Sequence, residues 1–600
     1  MFLKKKFAGV VAAIMILLPV LAACGPEATP TPTTIAPTAT TQAAAAPTDT
    51  TAPVADPTDT AAPEETPTEA AAVASPTGGA ADITGTEDMY AVGDCSYGGI
   101  MKSIEAVDDT TVKFTLCASD PAFPSKIAFS SLGIQSAAHL EETGGAPLDN
   151  PLGSGPYMVS EWVRGDHLTL VPNPHYAGDA PAFKTLIFRW NESATARLSS
   201  LRAAEADGID NPDPNDFATI GSDANLKLFP RVALNVFYVG MNNTKPPLDN
   251  EKVRQAIAMA LNRQAIVDKF YPPGSAVAQY FTPCAIPGGC EGEAWYEYNL
   301  DQAKTMLAEA GFPNGFPIRL AYRNVVRGYL PSPDKVAEEI QAQLAPLGIT
   351  ATIDQQESAT FLDNASAGNL EMFLLGWGAD YPDATNFLDS HFGNGANNSF
   401  GNKWPDVTSK LTEAASLSDQ DERNALYAEA NTAIKQHVPM IPIAHGGSAA
   451  VYRADVAGAH SSPLGNESFA VMSQPGDDTF VWIQNGEPPS LYCADETDGE
   501  ALRACEQIFQ PLLGYKVGST EVELGVASAY ESNEDLTEWT ITLNPDAKFS
   551  DGTQVTAQDV VATYAVQWDA AHELHKGRSG TFDYWTYLFT QFLNPPPPAE

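Results

Sequence analysis

The alternation of strand and helix patterns over residues 300–375 is the feature that most limits the possible fold. Apolar residues recur at helical spacing in 303–310 and 336–344. Between and after these segments, 317–322 and 349–353 have the composition and alternation of strands. Strand–helix–strand order favours right-handed crossovers and a largely parallel sheet. The sequence therefore predicts an α/β fold.

The last apolar run of this region leads into a loop that combines aromatic and acidic side chains. Residues 372–375 predict a buried strand that stops at Gly376, and Trp377, Asp380 and Tyr381 follow. Ligands meet parallel sheets at the carboxyl ends of the strands. Such a loop suits a solute with an apolar body and a positive end. Asp380 would face the cation, while Trp377 and Tyr381 would form flat walls.

A structural role is the alternative for the acids of this loop. Asp380 and Asp383 precede a segment in which a helix is expected to start near Thr385. Aspartate is a favoured residue at helix N-termini, where its carboxylate accepts backbone N–H groups. Spacing alone leaves open whether these two carboxylates cap the helix or bind a ligand.

The first 24 residues have the pattern of an export signal. Three lysines at 4–6 precede an apolar run over 7–21, which is too short to span a membrane comfortably. Residues 21–24 read Leu-Ala-Ala-Cys, as in a bacterial lipobox. We expect cleavage before Cys24 and acylation of that cysteine. An uncleaved anchor and an ordinary signal peptide are the alternatives.

Residues 25–82 are expected to form a disordered tether. They consist mainly of proline, threonine and alanine, with few side chains that could build a core. A flexible coil of this length spans roughly 40 Å. The remaining length is enough for two to four domains with substantial cores.

The net charge limits the partners of the chain. A formal charge of −42 argues against binding to nucleic acid or to anionic membrane surfaces. An acidic soluble surface explains this charge most simply. A weak preference for cationic solutes is the more specific alternative.

The cysteine count is typical of an exported protein with disulfides. Of the seven cysteines, six remain once Cys24 is set aside. An even number in an oxidising compartment indicates disulfides, and six cysteines allow fifteen connectivities. Pairing between sequence neighbours is the simplest assumption. The neighbouring pairs are Cys95 with Cys117, Cys284 with Cys290, and Cys493 with Cys505.

The sequence offers little for catalysis. It contains no Gly-x-Ser-x-Gly elbow, no P-loop and no complete Gly-x-Gly-x-x-Gly fingerprint. None of the cysteine spacings matches a zinc site. We therefore predict no enzyme activity, no cofactor and no metal.

The loop at 376–388 resembles that of a known family. Its sequence Gly-Trp-x-Ala-Asp-Tyr followed by Asn-Phe-Leu is similar to extracellular solute-binding protein family 5, the peptide-, nickel- and sugar-binding subunits of ABC importers. The resemblance implies that Asp380 holds the α-amino group of a peptide and that Trp377 lines the cleft. It also implies a two-lobed, periplasmic-binding-protein-like (type II) α/β fold with an extra small subdomain.

The order of the family segments indicates a circular permutation. Residues 85–472 resemble the middle and end of the family's chain, whereas 473–600 resemble its beginning. Permutation is tolerated where the original termini lie close together at the surface. A remnant of a tandem duplication and a segment swapped between partner chains are the alternatives.

The permuted order predicts discontinuous domains. The large lobe and the small subdomain should each combine an early and a late segment of the chain, and the second lobe should be continuous. The predicted boundaries are 1–24 for the signal peptide, 25–82 for the tether, 83–155 with 523–600 for the small subdomain, 156–275 with 446–522 for the large lobe, and 276–445 for the second lobe.

The resemblance also points to a turn of the large lobe and to one departure. The turn Glu487-Pro488-Pro489 matches a family segment beside the ligand's main chain, although Glu487 could equally be a surface acid. Some oligopeptide-binding members have an arginine three residues before the tryptophan, where it meets the peptide carboxylate. Here that residue is Leu374, which puts recognition of both peptide ends in doubt.

The function implied is capture of a solute by hinge closure and delivery to the permease of an ABC importer. Peptides are the first expectation and oligosaccharides the second, and a secreted hydrolase or a surface scaffold is the alternative class. We expect a monomer in the cell envelope that contacts the membrane only through its lipid anchor.

Overall fold

The computed structural model describes residues 83–595. The predicted signal peptide with Cys24 and the predicted tether lie outside the described residues. Within 83–595, no helix combines the length and the apolar character needed to cross a bilayer.

The strands run in chain order as follows. They are β1 Ile83–Thr86, β2 Met89–Val92, β3 Met101–Asp108, β4 Thr111–Leu116, β5 Tyr157–Val163, β6 His167–Pro172, β7 Thr185–Trp190, β8 Gly208–Asp210, β9 Leu226–Arg231, β10 Asn235–Met241, β11 Ala276–Val277, β12 Pro317–Arg323, β13 Thr350–Gln356, β14 Met372–Gly378, β15 Met440–His445, β16 Ser448–Arg453, β17 Thr479–Gln484, β18 Leu513–Tyr515, β19 Val522–Leu524, β20 Ala527–Ser532 and β21 Glu538–Leu543.

The α-helices are numbered in the same way. They are α1 Phe123–Lys126, α2 Ala137–Glu142, α3 Ala194–Arg202, α4 Phe217–Gly221, α5 Glu251–Ala260, α6 Arg263–Phe270, α7 Leu300–Glu309, α8 Pro333–Leu344, α9 Ser358–Ser366, α10 Thr385–Phe392, α11 Pro405–Ala415, α12 Gln420–His437, α13 Gly499–Ile508, α14 Ala557–Trp568 and α15 Asp583–Phe589.

The second lobe is built on a six-stranded sheet with the order β11-β15-β10-β14-β12-β13. The predicted strands and helices of residues 300–375 are confirmed as α7, β12, α8, β13 and β14. The prediction of a largely parallel sheet is wrong. Only β12 pairs in parallel, with β13 and β14, whereas β10 is antiparallel to both β14 and β15. The antiparallel strands enter from distant parts of the chain, so the local strand–helix–strand pattern could not predict their direction.

The second lobe also begins earlier than the sequence suggests. Residues 235–275, assigned by sequence to the large lobe, supply β10, α5 and α6 to this sheet and its core. From Val236 to Met241, β10 is buried at every residue. A strand that is apolar on both faces must lie inside a sheet with helices on both sides. That requirement places β10 at the centre of the second lobe.

The large lobe is built on a seven-stranded sheet with the order β5-β6-β7-β17-β8-β16-β9. Its central strand, β17, comes from late in the chain and runs parallel to both β7 and β8. Trp482 of β17 is fully buried and pairs with Phe188 and Gly208 on either side. Early and late segments of the chain therefore form one sheet.

A third sheet, with the order β1-β2-β3-β4-β21-β20, again joins early and late segments. Its late strand β21 pairs with β4 in antiparallel fashion. Thr556 and Asp559 have the spacing that predicts a capping box. The structure confirms it, because the two residues bond reciprocally at the start of α14. One continuous apolar core underlies both this sheet and that of the large lobe.

Four buried charged side chains tie the two segments of the large lobe together. Arg231 Nη2 lies 2.8 Å from Asp210 Oδ1 and 2.6 Å from Glu467 Oε1. Arg503 Nε lies 2.8 Å from Glu467 Oε2, and its Nη2 lies 3.1 Å from Asp210 Oδ2. The two positive and two negative charges balance, which is the arrangement that makes buried ions tolerable.

The structure brings the six cysteines together as the three neighbouring pairs. The Cα–Cα distances are 5.6 Å for Cys95 and Cys117, 4.8 Å for Cys284 and Cys290, and 6.3 Å for Cys493 and Cys505. These distances lie in the range of disulfides.

Candidate functional site

The candidate site lies at the carboxyl end of β14. This strand runs to Gly378, so the prediction that it stops at Gly376 is wrong, and Trp377 lies on the strand rather than in the loop. The ladder with β10 continues because Trp377 pairs with Val236. A Cβ at residue 376 would stand 2.3 Å from Cδ2 of Tyr329, so the glycine leaves room for this ring rather than ending the strand.

Asp380 is a buried carboxylate held only by neutral groups. Its side chain accepts hydrogen bonds from Asn386 Nδ2 at 2.9 Å and from the hydroxyl of Tyr584 at 3.2 Å. No lysine, arginine or histidine nitrogen of the described residues lies within 4.0 Å of it. Burial raises the pKa of Asp380 to about 6, and the two hydrogen bonds oppose that rise. Its negative charge is therefore uncompensated.

Asp383 lies in the same loop but is held by a cation. The guanidinium of Arg423 donates to both carboxylate oxygens, at 2.9 and 2.8 Å. The backbone N–H and the hydroxyl of Thr385 donate to Oδ1 at 3.0 and 2.7 Å. Burial alone would raise the pKa of Asp383, but the charge and hydrogen bonds of Arg423 outweigh it and lower that pKa. These contacts support the structural alternative for Asp383.

Trp377 is half-buried and forms part of an aromatic group. Its Nε1 donates to Asn386 Oδ1 at 3.3 Å, so the amide of Asn386 joins Trp377 to Asp380. The rings of His391 and Tyr587 meet the indole edge-on, with centroids at 5.0 and 5.6 Å. Tyr587 is on α15, outside the second lobe.

Tyr381 is more deeply buried than a side chain that lines an open cleft. Only 2% of it is exposed, and it belongs to the apolar core shared by the large lobe and the third sheet. Its hydroxyl bonds the hydroxyl of Thr385 at 3.2 Å, and Lys126 Nζ lies 5.6 Å from the ring centroid. The loop of the second lobe therefore inserts into the opposite lobe.

Two functional candidates of this site were missed by sequence reasoning. Tyr584 and Tyr587 of α15 contact Asp380 and Trp377, from 204 residues further along the chain in the case of Tyr584. The only sequence signal is the density of aromatic residues at 582–592. Such a run is as typical of a core as of a ligand site.

The predicted turn of the large lobe, Glu487-Pro488-Pro489, contacts its own lobe. Glu487 accepts from Trp162 Nε1 at 3.2 Å and from the backbone N–H of Gly165 at 3.1 Å. Arg164 Nη1 donates to the carbonyls of Pro488 and Pro489, each at 3.1 Å. The turn is thus occupied by the β5–β6 hairpin, and the structure shows no contact between it and Asp380.

The residue three before Trp377 provides no positive group. Leu374 is 1% exposed and offers none. Burial raises the pKa of Asp498 to about 7. The charge of Arg327, in the loop after β12, opposes this rise. Burial raises the pKa of Tyr584, the residue that bonds Asp380, and the charges of Asp380 and, to a smaller extent, Asp498 add to that rise.

Metal binding has no support in the described part of the chain. No group of three or more histidine, cysteine, aspartate or glutamate side chains among these residues could hold a metal ion.

Two α/β sheets with a buried carboxylate between them define the class. This is a two-lobed fold of the type II periplasmic-binding-protein kind, with a third sheet attached to one lobe. The model for "Bacterial extracellular solute-binding proteins, family 5 Middle" matches residues 58–399 and 521–581. The chain therefore belongs to family 5 of the bacterial extracellular solute-binding proteins.

Relatives with different ligands match to a similar extent. "Heme-binding protein A" of Haemophilus influenzae is 32% identical over 387 residues, which cover 63% of this chain and 70% of that protein. "Dipeptide-binding protein" of Pseudomonas aeruginosa is 34% identical over 382 residues, which cover 62% and 72%.

Solved structures agree with the fold. The dipeptide-binding protein of Pseudoalteromonas sp. SM9913 in complex with Met-Leu is 27% identical, with a TM-score of 0.58 over 62% of this chain and 76% of that chain. DppA of Helicobacter pylori in complex with the peptide STSA is 28% identical, with a TM-score of 0.57 over 63% and 75%. The family is one of solute-binding proteins.

Proposed function

We propose that this protein captures peptides between its two lobes by hinge closure and delivers them to the permease of an ABC importer, without chemistry on the ligand. The carboxylate of Asp380 is the observation that carries the proposal. It lies where the lobes meet, it is 8% exposed, and neutral groups alone hold it. A buried, uncompensated negative charge is costly unless a cation arrives. The α-amino group of a peptide is such a cation.

The surroundings of Asp380 fit a peptide as well. Trp377 and Tyr587 provide aromatic surface beside the carboxylate, since the amide of Asn386 bonds both Trp377 and Asp380. Two of the relatives with solved structures hold peptides. Because those relatives are less than a third identical to this chain, their peptides support the class of ligand and not one particular sequence.

Binding to a panel of ligands tests this proposal. We expect di- to pentapeptides to raise the melting temperature of the purified protein by mass action, and oligosaccharides to leave it unchanged. The variant Asp380→Asn, which keeps the shape of the side chain, should lose the peptide response. Glu141→Gln, which removes an exposed carboxylate on α2, is the matched control and should respond as wild type.

Two outcomes would overturn the proposal. One is a melting temperature that no peptide raises. The other is an equal rise in wild type and Asp380→Asn, which would show that the aspartate does not anchor the ligand.

We infer that the protein is exported and lipid-anchored through Cys24. The lipobox pattern and the cysteine pairs support this inference, as do relatives that act outside the cytoplasmic membrane. Metabolic labelling with a fatty acid should label the wild-type protein and not Cys24→Ser. Equal labelling of both would contradict lipidation at this residue.

We also infer that the chain is a circular permutation that closes within one monomer. The central position of β17 and the pairing of β21 with β4 support this inference. Tyr90 and Asn594 both bond the carboxylate of Asp569, so the two ends of the described chain lie close together.

Restoring the family order tests the permutation. A chain in which residues 473–595 precede 83–472, with a short linker between 595 and 83, should fold to a monomer with unchanged peptide affinity. A rearranged chain that aggregates, or a wild-type protein that sediments as a dimer, would instead favour a duplication remnant or a swapped segment.

A further inference from the structure

A second carboxylate close to the site has no cationic partner. Glu506, on α13, is partly buried, and its Oε2 accepts a hydrogen bond from Ser130 Oγ at 2.9 Å. Ser130 in turn accepts from Asn466 Nδ2 at 2.9 Å. No lysine, arginine or histidine nitrogen in residues 83–595 comes within 4.0 Å of Glu506. Its neighbour Arg503, by contrast, is fully paired with Glu467 and Asp210.

Glu506 lines a small cavity with mostly polar walls. The cavity has a volume of about 20 Å³, and Tyr515, Ser462, Ser519, His460 and Lys516 also line it. The basic residues on this wall are already engaged. His460 bonds the carbonyl of Gly458 and the N–H of Ser468, and Lys516 pairs with Glu521. The carboxylate of Glu506 is left as the uncompensated charge of the cavity.

The size of the cavity limits what can occupy it. A cavity needs a volume of roughly 10–15 Å³ to hold a single water molecule. A cavity of about 20 Å³ therefore has room for one group of water size, such as a primary ammonium.

Two structural links connect this cavity to Asp380. Phe129 packs against Tyr584, with ring centroids 4.6 Å apart, and Tyr584 bonds Asp380. The next residue, Ser130, bonds Glu506. Tyr515 also lines the cavity. Burial raises the pKa of Tyr515, and the charges of Asp380 and Glu506 both add to that rise, so the phenol is near both carboxylates. Tyr515 and the contact of Phe129 with Tyr584 are therefore the links between the two carboxylates.

We propose that the Glu506 cavity is a second subsite of the cleft, which receives a primary ammonium group of the ligand. The ligand class is then a peptide with a lysine side chain, whose two ammonium groups meet Asp380 and Glu506. This rests on the proposed function, since it assigns a preference among peptides. We expect lysine to bind more tightly than arginine, because the primary ammonium is the smaller group, and more tightly than norleucine, which lacks the charge.

Isothermal titration with matched dipeptides tests the subsite. The ligands are Ala-Lys, Ala-Arg and Ala-norleucine, with the reversed sequences as a second set because the ligand's register is open. In wild type we expect the lysine peptide of one set to bind about tenfold or more tighter than its norleucine analogue, as for an ion pair in a shielded site. In Glu506→Gln, which still accepts from Ser130, this preference should shrink to about twofold or less, while norleucine affinity stays unchanged.

The variants separate this proposal from the proposed function. Asp380→Asn should weaken all the peptides together, whereas Glu506→Gln should weaken only those with a lysine side chain. Glu141→Gln is again the control, and melting temperatures without ligand check that each variant is folded. Equal binding of lysine and norleucine peptides by wild type, or a preference that survives Glu506→Gln, would overturn the subsite alone. A wild type that binds none of the peptides would overturn the proposed function and the subsite with it.

Discussion

Asp380 and Asp383 lie three residues apart in one loop and are equally buried, at 8% exposure each, but their environments differ in charge. Asp383 forms a bidentate ion pair with Arg423 and accepts from Thr385, and its pKa is lowered. Asp380 has only an amide and a phenol as donors, and burial raises its pKa to about 6.

The difference separates a structural carboxylate from one that is available to a ligand. Burial costs an ion several kcal/mol, and the fold compensates that cost at Asp383 with a cation of its own. At Asp380 it does not, so part of the cost remains until a cation binds. A residue that is costly in the free protein and favourable in the complex is typical of functional sites. Four measurements test this contrast, from the largest expected effect to the smallest.

Removal of the cation Arg423 should destabilise the fold, because Asp383 is then buried without a partner. Arg423→Met leaves Asp383 buried and unpaired, and we expect a loss of about 3–5 kcal/mol in the free energy of unfolding, measured with urea. The double variant Arg423→Met with Asp383→Asn should recover a large part of that loss. If the single variant loses less than about 1 kcal/mol, the ion pair does not hold the loop.

Neutralisation of the other carboxylate should affect binding. Asp380→Asn should weaken a peptide that binds wild type by roughly 2–5 kcal/mol, measured by titration calorimetry, because the ligand ammonium loses its partner. Wild-type affinity should also fall as the pH drops below about 6, where Asp380 takes up a proton. An affinity that is unchanged in the variant, or independent of pH between about 7 and 5, would place the anchor elsewhere.

The same variant should be more stable than wild type without ligand. The pKa of Asp380 in the folded protein, about 6, lies above its ordinary value of 3.8, so the ionised form destabilises the fold. This cost is fully present above pH 6 and disappears as the pH falls towards 3.8. Asp380→Asn should therefore raise the free energy of unfolding by up to about 3 kcal/mol near pH 8, and by little near pH 4. A variant that is less stable at both pH values would contradict the contrast.

The smallest effect should come from the phenol. Tyr584→Phe removes one donor to Asp380, so the pKa of Asp380 should rise further, and peptide affinity at neutral pH should fall by about 0.5–1.5 kcal/mol. Tyr587→Phe, which keeps the ring beside Trp377 and alters no bond to Asp380, is the matched control. Equal losses in the two variants would mean that the Tyr584 hydroxyl has no special role.

Local features of the fold could be predicted from the sequence, because they depend on residues close together in the chain. The capping box of Thr556 and Asp559 and the helix α8 follow from spacing alone, and the structure confirms both. The direction of β10 in the sheet of the second lobe could not be predicted, since its partner strands β14 and β15 are more than 100 residues away in the chain.

The residues of the candidate site could be predicted, but not which of its two carboxylates has a cationic partner. The loop pattern selects Asp380, Asp383 and Trp377, and it gives no reason to separate the two acids. Their separation depends on Arg423, 40 residues later on α12, and on Tyr584, 204 residues later on α15. Pairs at such distances are created by the tertiary fold, so a single sequence contains no local sign of them.

The position of β17 at the centre of its sheet has a consequence for biosynthesis. Ribosomes make a chain from its amino end, and roughly 300 residues separate the end of β7 from the end of its neighbour β17. At about 5–20 residues per second, the facing edges of β7 and β8 stay unpaired for about 15–60 s before β17, the strand between them, has been made. Unpaired edges of this kind invite association with other chains. The nascent large lobe therefore cannot complete its sheet until β17 has been made.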